Sequence, residues 1–406
     1  MQDTPKANRP HIAIFGRRNA GKSSLINALT NQDIALVSDV AGTTTDPVFK
    51  AMEILPIGPV MLIDTAGIDD VGELGKLRIK KTMEVLRKTD LAVLVIEPEA
   101  GIEEYELDLK KQIESKKIPI VAVLNKSDQA QEVNIQDLEK SLGQQILPVS
   151  ALTGRGIEEL KGALIKNIPE SFEEQFIIGD LVNPGDIAVL VVPIDLAAPK
   201  GRLILPQVQT LRDLLDHDAM GLVVKERELK AALQKISKPK IVVTDSQAFQ
   251  KVDADTPPDI LMTSFSILFA RYKGDLVELV KGAKAVKELK PGDKVLIAEA
   301  CTHHRQADDI GKVKIPRWLR QYVGGELNFN WYSGGGYPED IESYKIIVHC
   351  GGCMINRREM LYRIQLAKEA GIPIVNYGVL IAFLHGILDR ALQPFPLARL
   401  TWEEEK

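Results

Sequence analysis

The sequence predicts an α/β protein with three domains that are built mainly on parallel sheets. Its 406 residues are enough for two to three domains of about 150 residues each. Continuous apolar runs alternate with helical patterns along most of the chain, as expected for strands buried on both faces of a parallel sheet. Two polar, proline-containing segments, 167–176 and 253–260, interrupt this alternation. We therefore divide the chain into residues 1–170, 176–260 and 261–406.

Each predicted domain has its own strands. In the first, apolar runs predict strands at 11–15, 60–64, 91–97 and 118–125. In the second, they predict a helix at 205–216 and strands at 187–194, 221–225 and 240–245. The third begins near Met262 with two helices, and its strands at 294–300 and 344–350 flank a glycine-rich segment at 333–338. A helix, a strand and a terminal helix complete it.

Composition excludes several classes of protein. Lysine and arginine number 51 against 56 aspartate and glutamate, for a net charge of −5, so a basic protein that coats nucleic acid is not expected. The most apolar window, 372–388, contains Asn376, Tyr377 and His385 and is too interrupted to span a membrane. We therefore expect neither nucleic acid nor membrane as a partner. Only three cysteines occur, and this odd, sparse number fits a reducing cytoplasm better than a disulfide framework.

The first predicted strand leads into GRRNAGKS at 16–23, a glycine-rich loop that a helix follows. This is the spacing of a phosphate loop, whose backbone N–H groups surround the β-phosphate at a helix N-terminus. Lys22 would supply charge to the β- and γ-phosphates, and the Ser23 hydroxyl would bind Mg²⁺. The nucleotide contacts predicted in this loop are Gly16, Asn19, Ala20, Gly21, Lys22, Ser23 and Ser24.

Three further motifs follow at the ends of later strands. In DTAG at 64–67, Asp64 can hold a magnesium-bound water and the Gly67 N–H can reach the γ-phosphate. In NKSD at 125–128, the Asp128 carboxylate can accept both N–H donors of guanine, which adenine lacks. Ordinary strand-end turns would explain any one motif, but not all four in this order. With SAL at 150–152, the predicted guanine contacts are Asn125, Lys126, Asp128, Ser150 and Ala151.

These motifs resemble those of the translation-factor-related GTPases, especially the tRNA-modification and Era/Der-like branch. The resemblance implies GTP hydrolysis, with Lys22, Thr44, Asp64 and Gly67 as the catalytic residues. Thr44 lies between two further threonines in AGTTTD at 41–46 and would bind Mg²⁺ and sense the γ-phosphate. Asn19 would bind K⁺.

The same comparison predicts slow basal hydrolysis that K⁺ stimulates. The residue after DTAG is Ile68, where Ras-like enzymes carry the glutamine that orients the attacking water. An arginine finger is worth roughly 10³ to 10⁵ in rate, and the sequence singles out no arginine for that role. Arg17 and Arg18 lie within the phosphate loop, and we predict that they are solvent-facing charges at its tip.

All three cysteines lie at the ends of predicted strands in the third domain. Cys301 directly follows the strand at 294–300, and Cys350 ends the strand at 344–350. Because parallel strands bring their carboxyl ends to one edge of a sheet, both are expected to open onto one crevice. In HCGGC, two glycines would let the sulfur atoms of Cys350 and Cys353 face one metal centre. The helix that follows would favour thiolates through its dipole.

The residues alone leave the kind of metal open. Three cysteines with a histidine suit structural zinc, whereas three cysteines with an exchangeable fourth ligand suit a 4Fe-4S cluster with one open iron. Three small buried hydrophobic residues are the alternative, which the strand-end positions disfavour. The candidates for the fourth ligand are Glu299, His303, His304 and His349. Glu299 lies on the same strand face as Cys301. Of the four, we expect Glu299 or His303 to be the ligand.

A GTPase domain, an α/β middle segment, and CTH at 301–303 followed by HCGGC together resemble the HydF family, the maturation GTPases of iron-iron hydrogenases. The resemblance implies a dimerisation domain at 176–260 and a 4Fe-4S cluster on Cys301, Cys350 and Cys353. It implies a cytoplasmic homodimer or higher oligomer that carries the di-iron precursor of the hydrogenase active-site cluster. The implied partners are the radical-SAM maturases HydE and HydG and the apo-hydrogenase.

Two other functions are alternatives. An RNA-directed GTPase with a zinc module would need a concentrated basic face for about six to ten phosphate contacts, and only short stretches such as KIPRWLRQY at 314–322 offer one. A metal-dependent enzyme would use an open iron as a Lewis acid, with the GTPase as a timer. The middle segment has no catalytic constellation, and its helix at 205–216 would pack into its own core or against a partner subunit.

Overall fold

The computed structural model describes residues 5–30, 47–65, 81–129, 133–169, 175–193, 203–300, 309–334, 338 and 340–404. The chain divides into two compact units, Met1–Glu174 and Gln175–Lys406. The junction between them falls inside the predicted linker at 167–176. The boundary predicted at 260/261 falls inside the second unit.

The first unit has a six-stranded sheet in its described part. Its strands are β1 (His11–Gly16), β2 (Val48–Ile54), β3 (Gly58–Asp64), β4 (Leu91–Ile96), β5 (Ile120–Leu124) and β6 (Ile146–Pro148). They lie in the order β2-β3-β1-β4-β5-β6, with β2 antiparallel to β3 and the other pairs parallel. Residues 81–86 are helical, and the other helices are α1 (Lys22–Thr30), α2 (Glu104–Ser115), α3 (Ile135–Leu142) and α4 (Ile157–Asn167).

Alternate residues of the central strand β1 contribute to two separate cores. Ile12 and Ile14 pack on one face of the sheet with Leu25 of α1, while Ala13 and Phe15 pack on the other face. All of β1 is buried, because helices cover both faces and leave the strand no solvent-facing side. The apolar runs of the sequence therefore arise from burial on both faces, and the predicted parallel α/β fold is confirmed.

The second unit has two four-stranded parallel sheets in its described part. One consists of β7 (Ile187–Val191), β8 (Met220–Val224), β9 (Ile241–Thr244) and β10 (Leu261–Ser264), in the order β10-β9-β7-β8. The other consists of β11 (Lys294–Glu299), β12 (Asn328–Ser333), β13 (Ile346–His349) and β14 (Ile374–Asn376), in the order β12-β11-β13-β14. The helices are α5 (Leu205–Asp216), α6 (Leu229–Leu233), α7 (Phe249–Asp255), α8 (Phe265–Lys273), α9 (Leu276–Ala285), α10 (Ile315–Val323), α11 (Arg357–Glu369), α12 (Tyr377–Leu384), α13 (Leu388–Ala391) and α14 (Pro396–Glu403).

One continuous hydrophobic core joins the two sheets of the second unit, from Ile177 to Trp402. Strand β10 starts directly after the boundary predicted at 260/261 and pairs with β9, so the middle sheet extends past that boundary. Helix α8 follows β10 and packs against both α5 of the middle segment and α11 of the C-terminal segment. The two segments therefore share one core in the structure.

The apolar window at 372–388 forms β14 and then α12, the strand and core helix that its sequence predicts. Asn376, which interrupts the window, is the N-cap of α12, and its Oδ1 accepts a hydrogen bond from the Val379 N–H at 2.8 Å. A polar residue at this position replaces an intrahelical partner that the first turn lacks. Among the helices of the described residues, none is long and apolar enough to cross a membrane.

Two helical glycines provide a test of this packing. A Cβ at Gly282 of α9 would stand 1.9 Å from the carbonyl oxygen of Ile374 in β14, whereas nothing lies within 4 Å of a Cβ at Gly162 of α4. We expect Gly282→Ala to lower the free energy of unfolding by about 1–3 kcal/mol through overpacking. We expect Gly162→Ala to leave it unchanged or raise it by about 0.5–1 kcal/mol. Urea denaturation followed by circular dichroism measures both, and equal stability of the two variants would contradict the close approach of α9 to β14.

Candidate functional site: a phosphate loop and a cysteine loop at strand ends

Two glycines of the phosphate loop lie where no side chain fits. A Cβ at Gly16 would stand 2.5 Å from the carbonyl oxygen of Val95, and a Cβ at Gly21 would stand 2.3 Å from Nδ2 of Asn125. Gly21 (φ +82°) and the exposed Asn19 (φ +62°) also adopt left-handed backbone conformations, which glycine and asparagine tolerate best. Close backbone packing therefore explains the glycine spacing of the motif.

Lys22 and Ser23 are the first two residues of α1, at the end of this loop. The buried Lys22 ammonium donates hydrogen bonds to the carbonyl oxygens of Gly16 (3.0 Å) and Arg17 (2.6 Å). Ser23 Oγ donates to Asp64 Oδ2 at 2.6 Å. Burial raises the pKa of Asp64, and the hydrogen bond from Ser23 opposes this shift. A hydroxyl and a carboxylate, both oxygen ligands of the kind that Mg²⁺ prefers, therefore meet between α1 and the end of β3.

Asn125 connects the predicted base-binding motifs to the phosphate loop. Its buried side chain donates from Nδ2 to the carbonyl oxygen of Ala20 (2.9 Å), and its Oδ1 accepts from the Ala151 N–H (3.2 Å). Asp128 Oδ1 is buried without a hydrogen-bond partner among the described residues. A buried acceptor without a partner is costly, and a guanine N–H would satisfy this one.

The other predicted residues of this site are held by local contacts. Ser150 is buried, and its Oγ accepts from the Thr153 N–H at 3.1 Å. Lys126 has a left-handed backbone (φ +56°) and forms an ion pair with Glu97. Ser24 is half-buried in the first turn of α1.

Arg17 is not the solvent-facing charge that the sequence predicts. Its Nε donates to Glu106 Oε1 at 2.7 Å, its Nη2 donates to Glu103 Oε2 at 2.8 Å, and the guanidinium lies 5.5 Å from the centre of the Tyr105 ring. The hydrogen bond with Glu106 is the main cause that raises the pKa of Arg17. A guanidinium bound to two carboxylates of this kind anchors the phosphate loop to α2 and does not act as an arginine finger in this arrangement.

Two of the three cysteines lie at the end of β13, beside the end of β11. The Cys350 N–H donates to the carbonyl oxygen of Ala298 at 2.9 Å. The Ala300 N–H donates to Cys350 Sγ at 3.1 Å, and Ala300 directly precedes Cys301 in the sequence. Cys350 and Cys353 are both partly exposed. These two strand ends thus meet at one edge of the sheet.

Glu299 is buried at the same edge. Its Oε1 accepts from the Tyr377 hydroxyl at 3.3 Å, and its Oε2 accepts from Ser333 Oγ at 3.4 Å. Burial raises the pKa of Tyr377 well above its ordinary value, and Cys350 and Glu299 add to this effect, so the hydroxyl keeps its proton. A Cβ at Gly311 would lie 2.6 Å from Glu299 Oε1, so glycine leaves room for the pair.

Both ring nitrogens of His349 form hydrogen bonds with other groups of the protein. Nδ1 lies 2.7 Å from the carbonyl oxygen of Cys350, and Nε2 lies 3.1 Å from Nη1 of Arg363. Because a guanidinium can only donate, Nε2 accepts and Nδ1–H donates. Burial, and secondly the Arg363 charge, lower the pKa of His349 to about 3. The ring is therefore neutral and has no lone pair left for a metal, so this arrangement does not suit His349 as the fourth ligand.

Several predicted site residues lie outside the described residues: Thr44, Gly67, Ile68, Cys301, His303 and His304. Their roles stay predictions. Within the part of the chain that the structure describes, no group of three or more His, Cys, Asp or Glu residues is arranged to hold a metal ion. That part includes Cys350 and Cys353, and so only two of the three cysteines.

Three family models match successive parts of the chain. Residues 11–126 match a model described as a 50S ribosome-binding GTPase. Residues 177–274 match the hydrogen maturase F dimerization domain, and residues 277–394 match the hydrogen maturase F tetramerization domain. The two hydrogen maturase models together cover more than half of the chain.

Individual relatives share a smaller part. The tRNA modification GTPase MnmE of Aquifex aeolicus is 38% identical over 164 residues, which are 40% of this chain and 35% of that protein. MnmE of Lactobacillus acidophilus is 37% identical over 158 residues, which are 38% of this chain and 33% of that protein. This chain thus spans about a third of the length of these curated relatives.

Solved structures also match in part. Aquifex aeolicus Era bound to GDP·AlF4⁻ is 20% identical and has a TM-score of 0.37, with 60% of this chain and 97% of that chain covered. The G domain of the T. maritima FeoB iron transporter is 26% identical and has a TM-score of 0.32, with 40% of this chain and 99% of that chain covered.

Base recognition by Asp128 can be tested by exchanging its carboxylate for an amide. Asp128→Asn replaces one acceptor oxygen with a donor, so the guanine N–H groups lose a partner. We expect GTP affinity to fall by at least about a hundredfold and xanthosine triphosphate to bind more tightly than GTP. Titration with fluorescent nucleotide analogues measures both. Asp137→Asn, on the exposed surface of α3, is the control, and unchanged GTP affinity in Asp128→Asn would show that NKSD is not the base site.

Proposed function

The chain belongs to the hydrogen maturase F (HydF) family, and we propose that it is a GTP-hydrolysing scaffold in the maturation of iron-iron hydrogenases. In this proposal the first unit binds and hydrolyses GTP, and the second unit holds an iron–sulfur cluster at the cysteine loop. The chain carries the di-iron precursor as its cargo and passes it to the apo-hydrogenase, after receiving material from the radical-SAM maturases HydE and HydG. The observation that carries the proposal is that Cys350 and Cys353 follow β13, where the Cys350 sulfur lies within hydrogen-bond distance of Ala300 at the adjacent end of β11.

The geometry of the first unit supports the proposal that this unit binds and hydrolyses GTP. The match to a GTPase family model supports GTP and Mg²⁺ as ligands, and Ser23 and Asp64 already lie within hydrogen-bond distance of each other. Lys22, Thr44, Asp64 and Gly67 are the proposed catalytic residues. Thr44 completes the Mg²⁺ site, and Lys22 neutralises charge on the transferring phosphoryl group. With Arg17 bound to Glu103 and Glu106, K⁺ at Asn19 is the remaining cation of the proposal.

The residues around the cysteine loop fit a 4Fe-4S cluster. Its proposed ligands are Cys301, Cys350 and Cys353, with Glu299 or His303 at the fourth iron. The Ala300 N–H already points to Cys350 Sγ, and one peptide unit separates Ala300 from Cys301, which supports a shared site. Glu299 supplies a buried carboxylate at the same edge. When bound, the cluster would supply an iron with an exchangeable position, and the sparse cysteine content of the chain fits a reducing cytoplasm.

An exposed apolar surface supports self-association through the middle segment. The matched dimerization and tetramerization domains indicate a homo-oligomer. Strand β8 is at the end of its sheet, and an unpaired edge of this kind invites another strand. The apolar side chains of α5 and β8 that are exposed are Val208, Leu215, Met220 and Val223. A second copy of this chain would bury them, so we assign the dimer contact to this surface.

Cation dependence tests the proposed hydrolysis mechanism. With only Mg²⁺ and Lys22 besides K⁺ to stabilise the transition state, basal hydrolysis should be slow and should rise by about tenfold or more when K⁺ replaces Na⁺. Phosphate release at saturating GTP measures the rate. Asn19→Ala should remove the difference between the two salts, whereas Asn167→Ala, on the exposed surface of α4, should keep it. Equal rates of the unmodified protein in Na⁺ and K⁺ would exclude the role of Asn19.

Anaerobic reconstitution with iron and sulfide tests the cluster site. We expect one 4Fe-4S cluster per chain, with an EPR signal after reduction that Cys301→Ala, Cys350→Ala and Cys353→Ala each abolish. Met354→Ala, at an exposed side chain next to Cys353, should retain the signal. Of Glu299→Gln and His303→Ala, only the variant that removes the fourth ligand should change the line shape. Stoichiometric zinc without a cluster signal under anaerobic conditions would overturn the proposal.

A further inference from the structure

The last turn of α8 carries a buried lysine that no sequence motif indicates. Lys273 is 1% exposed, and its ammonium lies within hydrogen-bond distance of three carbonyl oxygens, those of Ile355 (2.8 Å), Cys353 (3.1 Å) and Gly352 (3.3 Å). A buried ammonium is unfavourable unless its donors find partners. Here the three donors of one ammonium meet three acceptors of a single segment, the cysteine loop (residues 350–356).

Arg357 makes the reverse connection. It is the first residue of α11, directly after the cysteine loop, and its Nη1 donates to the carbonyl oxygen of Tyr272 at 2.6 Å. Longer contacts of 3.4 Å reach the carbonyl oxygens of Arg271 and Gly274. These oxygens belong to the end of α8, where a helix leaves carbonyl groups without intrahelical partners. Lys273 and Arg357 thus form a reciprocal clasp, in which each residue satisfies backbone oxygens of the other's segment.

We propose that Lys273 and Arg357 are positioning residues of the cysteine site. The clasp holds the backbone between Cys350 and Cys353 in one conformation, and the Lys273 ammonium places a positive charge near the sulfur ligands. This inference rests on the proposed cluster site. Neither residue is a ligand; both act through the loop that carries the ligands.

The cysteine loop needs an external restraint because of its own composition. Two adjacent glycines, Gly351 and Gly352, separate its cysteines, and Gly352 has a left-handed backbone (φ +64°). Glycine has more conformational freedom to lose than any other residue, so this segment fluctuates unless other groups hold it. Lys273 contacts the oxygens of Gly352 and Cys353, which is where the freedom is greatest.

The charge of Lys273 has a consequence of its own. Three thiolates and an iron–sulfur core form an anionic centre, and reduction adds a further negative charge. A nearby cation stabilises the reduced form more than the oxidised form, so it raises the reduction potential. Lys273 is the nearest element of the clasp to the ligands, since it binds the carbonyl oxygen of Cys353 itself.

Hydrogen exchange on the metal-free, full-length protein tests the clasp. Lys273→Met keeps the aliphatic stem and removes the charge and the donors, and Arg357→Met removes the other half. We expect amides of residues 350–356 to exchange about tenfold faster in each variant. Lys284→Met is the matched control, because Lys284 of α9 also donates to a backbone oxygen, that of Thr401, outside the cysteine loop. Exchange in the loop that stays at the unmodified rate in both clasp variants would overturn the inference.

Lys273 is fully buried, so Lys273→Met could fail to fold. Arg357 is only half-buried, so Arg357→Met tests the clasp independently of that outcome. A folded Arg357→Met with faster exchange confined to the loop supports the clasp. A folded Arg357→Met with unchanged exchange contradicts it.

The reconstituted protein tests the charge. We expect Lys273→Met to lose iron to a chelator roughly 10–100-fold faster and to have a more negative reduction potential in an EPR-monitored titration. Lys284→Met should match the unmodified protein in both. Unchanged potential and unchanged iron loss in Lys273→Met would exclude the electrostatic role. If the unmodified protein assembled no cluster, the proposed function would fail, while the exchange result on metal-free protein would still decide whether the clasp holds the loop.

Discussion

A parallel sheet brings the carboxyl ends of its strands to one edge, and both sites of this protein depend on that constraint. In the first unit, the loop after β1, Asp64 at the end of β3 and Asn125 after β5 meet there, and Asn125 holds two loops together with one side chain. In the second unit, β11 and β13 end side by side, so Ala300 and Cys350 come within hydrogen-bond distance. The chemistry of the two sites differs, but the backbone geometry that assembles them is the same.

The region next to the cysteine loop contains a buried charge, and hydrogen bonds compensate for the loss of its hydration. Arg363 is among the largest fully buried side chains of the described residues, and it donates to Glu359, His349 and the carbonyl oxygen of Gly334. Removing one partner from such a network would leave a buried charge or donor without a partner, which strongly destabilises the folded state. Because His349 directly precedes Cys350, the network also fixes His349 as a neutral donor and removes its ring from the candidate ligands.

Local sequence predicted the parts of this structure that depend on local pattern. The glycine spacing of the phosphate loop and the strand-end positions of Asp64 and Asn125 follow from short motifs, and the α/β fold follows from periodicity. The pattern did not indicate Lys273, whose partner Ile355 is 82 residues away, or the pairing of Arg17 with Glu106, 89 residues away. Such pairs depend on how helices pack, which periodicity does not encode. For the same reason the polar segment at 253–260 suggested a boundary, although β10 pairs with β9 beyond it.

The last turn of α8 brings together two regions that the sheets keep apart. Arg271 binds both carboxylate oxygens of Asp180 at 2.7 Å and the carbonyl oxygen of Ile177 at 2.9 Å, close to where the chain enters the second unit. Lys273, two residues later, holds the cysteine loop. Through Arg271 and Lys273, the end of α8 therefore holds both the first residues of the second unit and the cysteine loop.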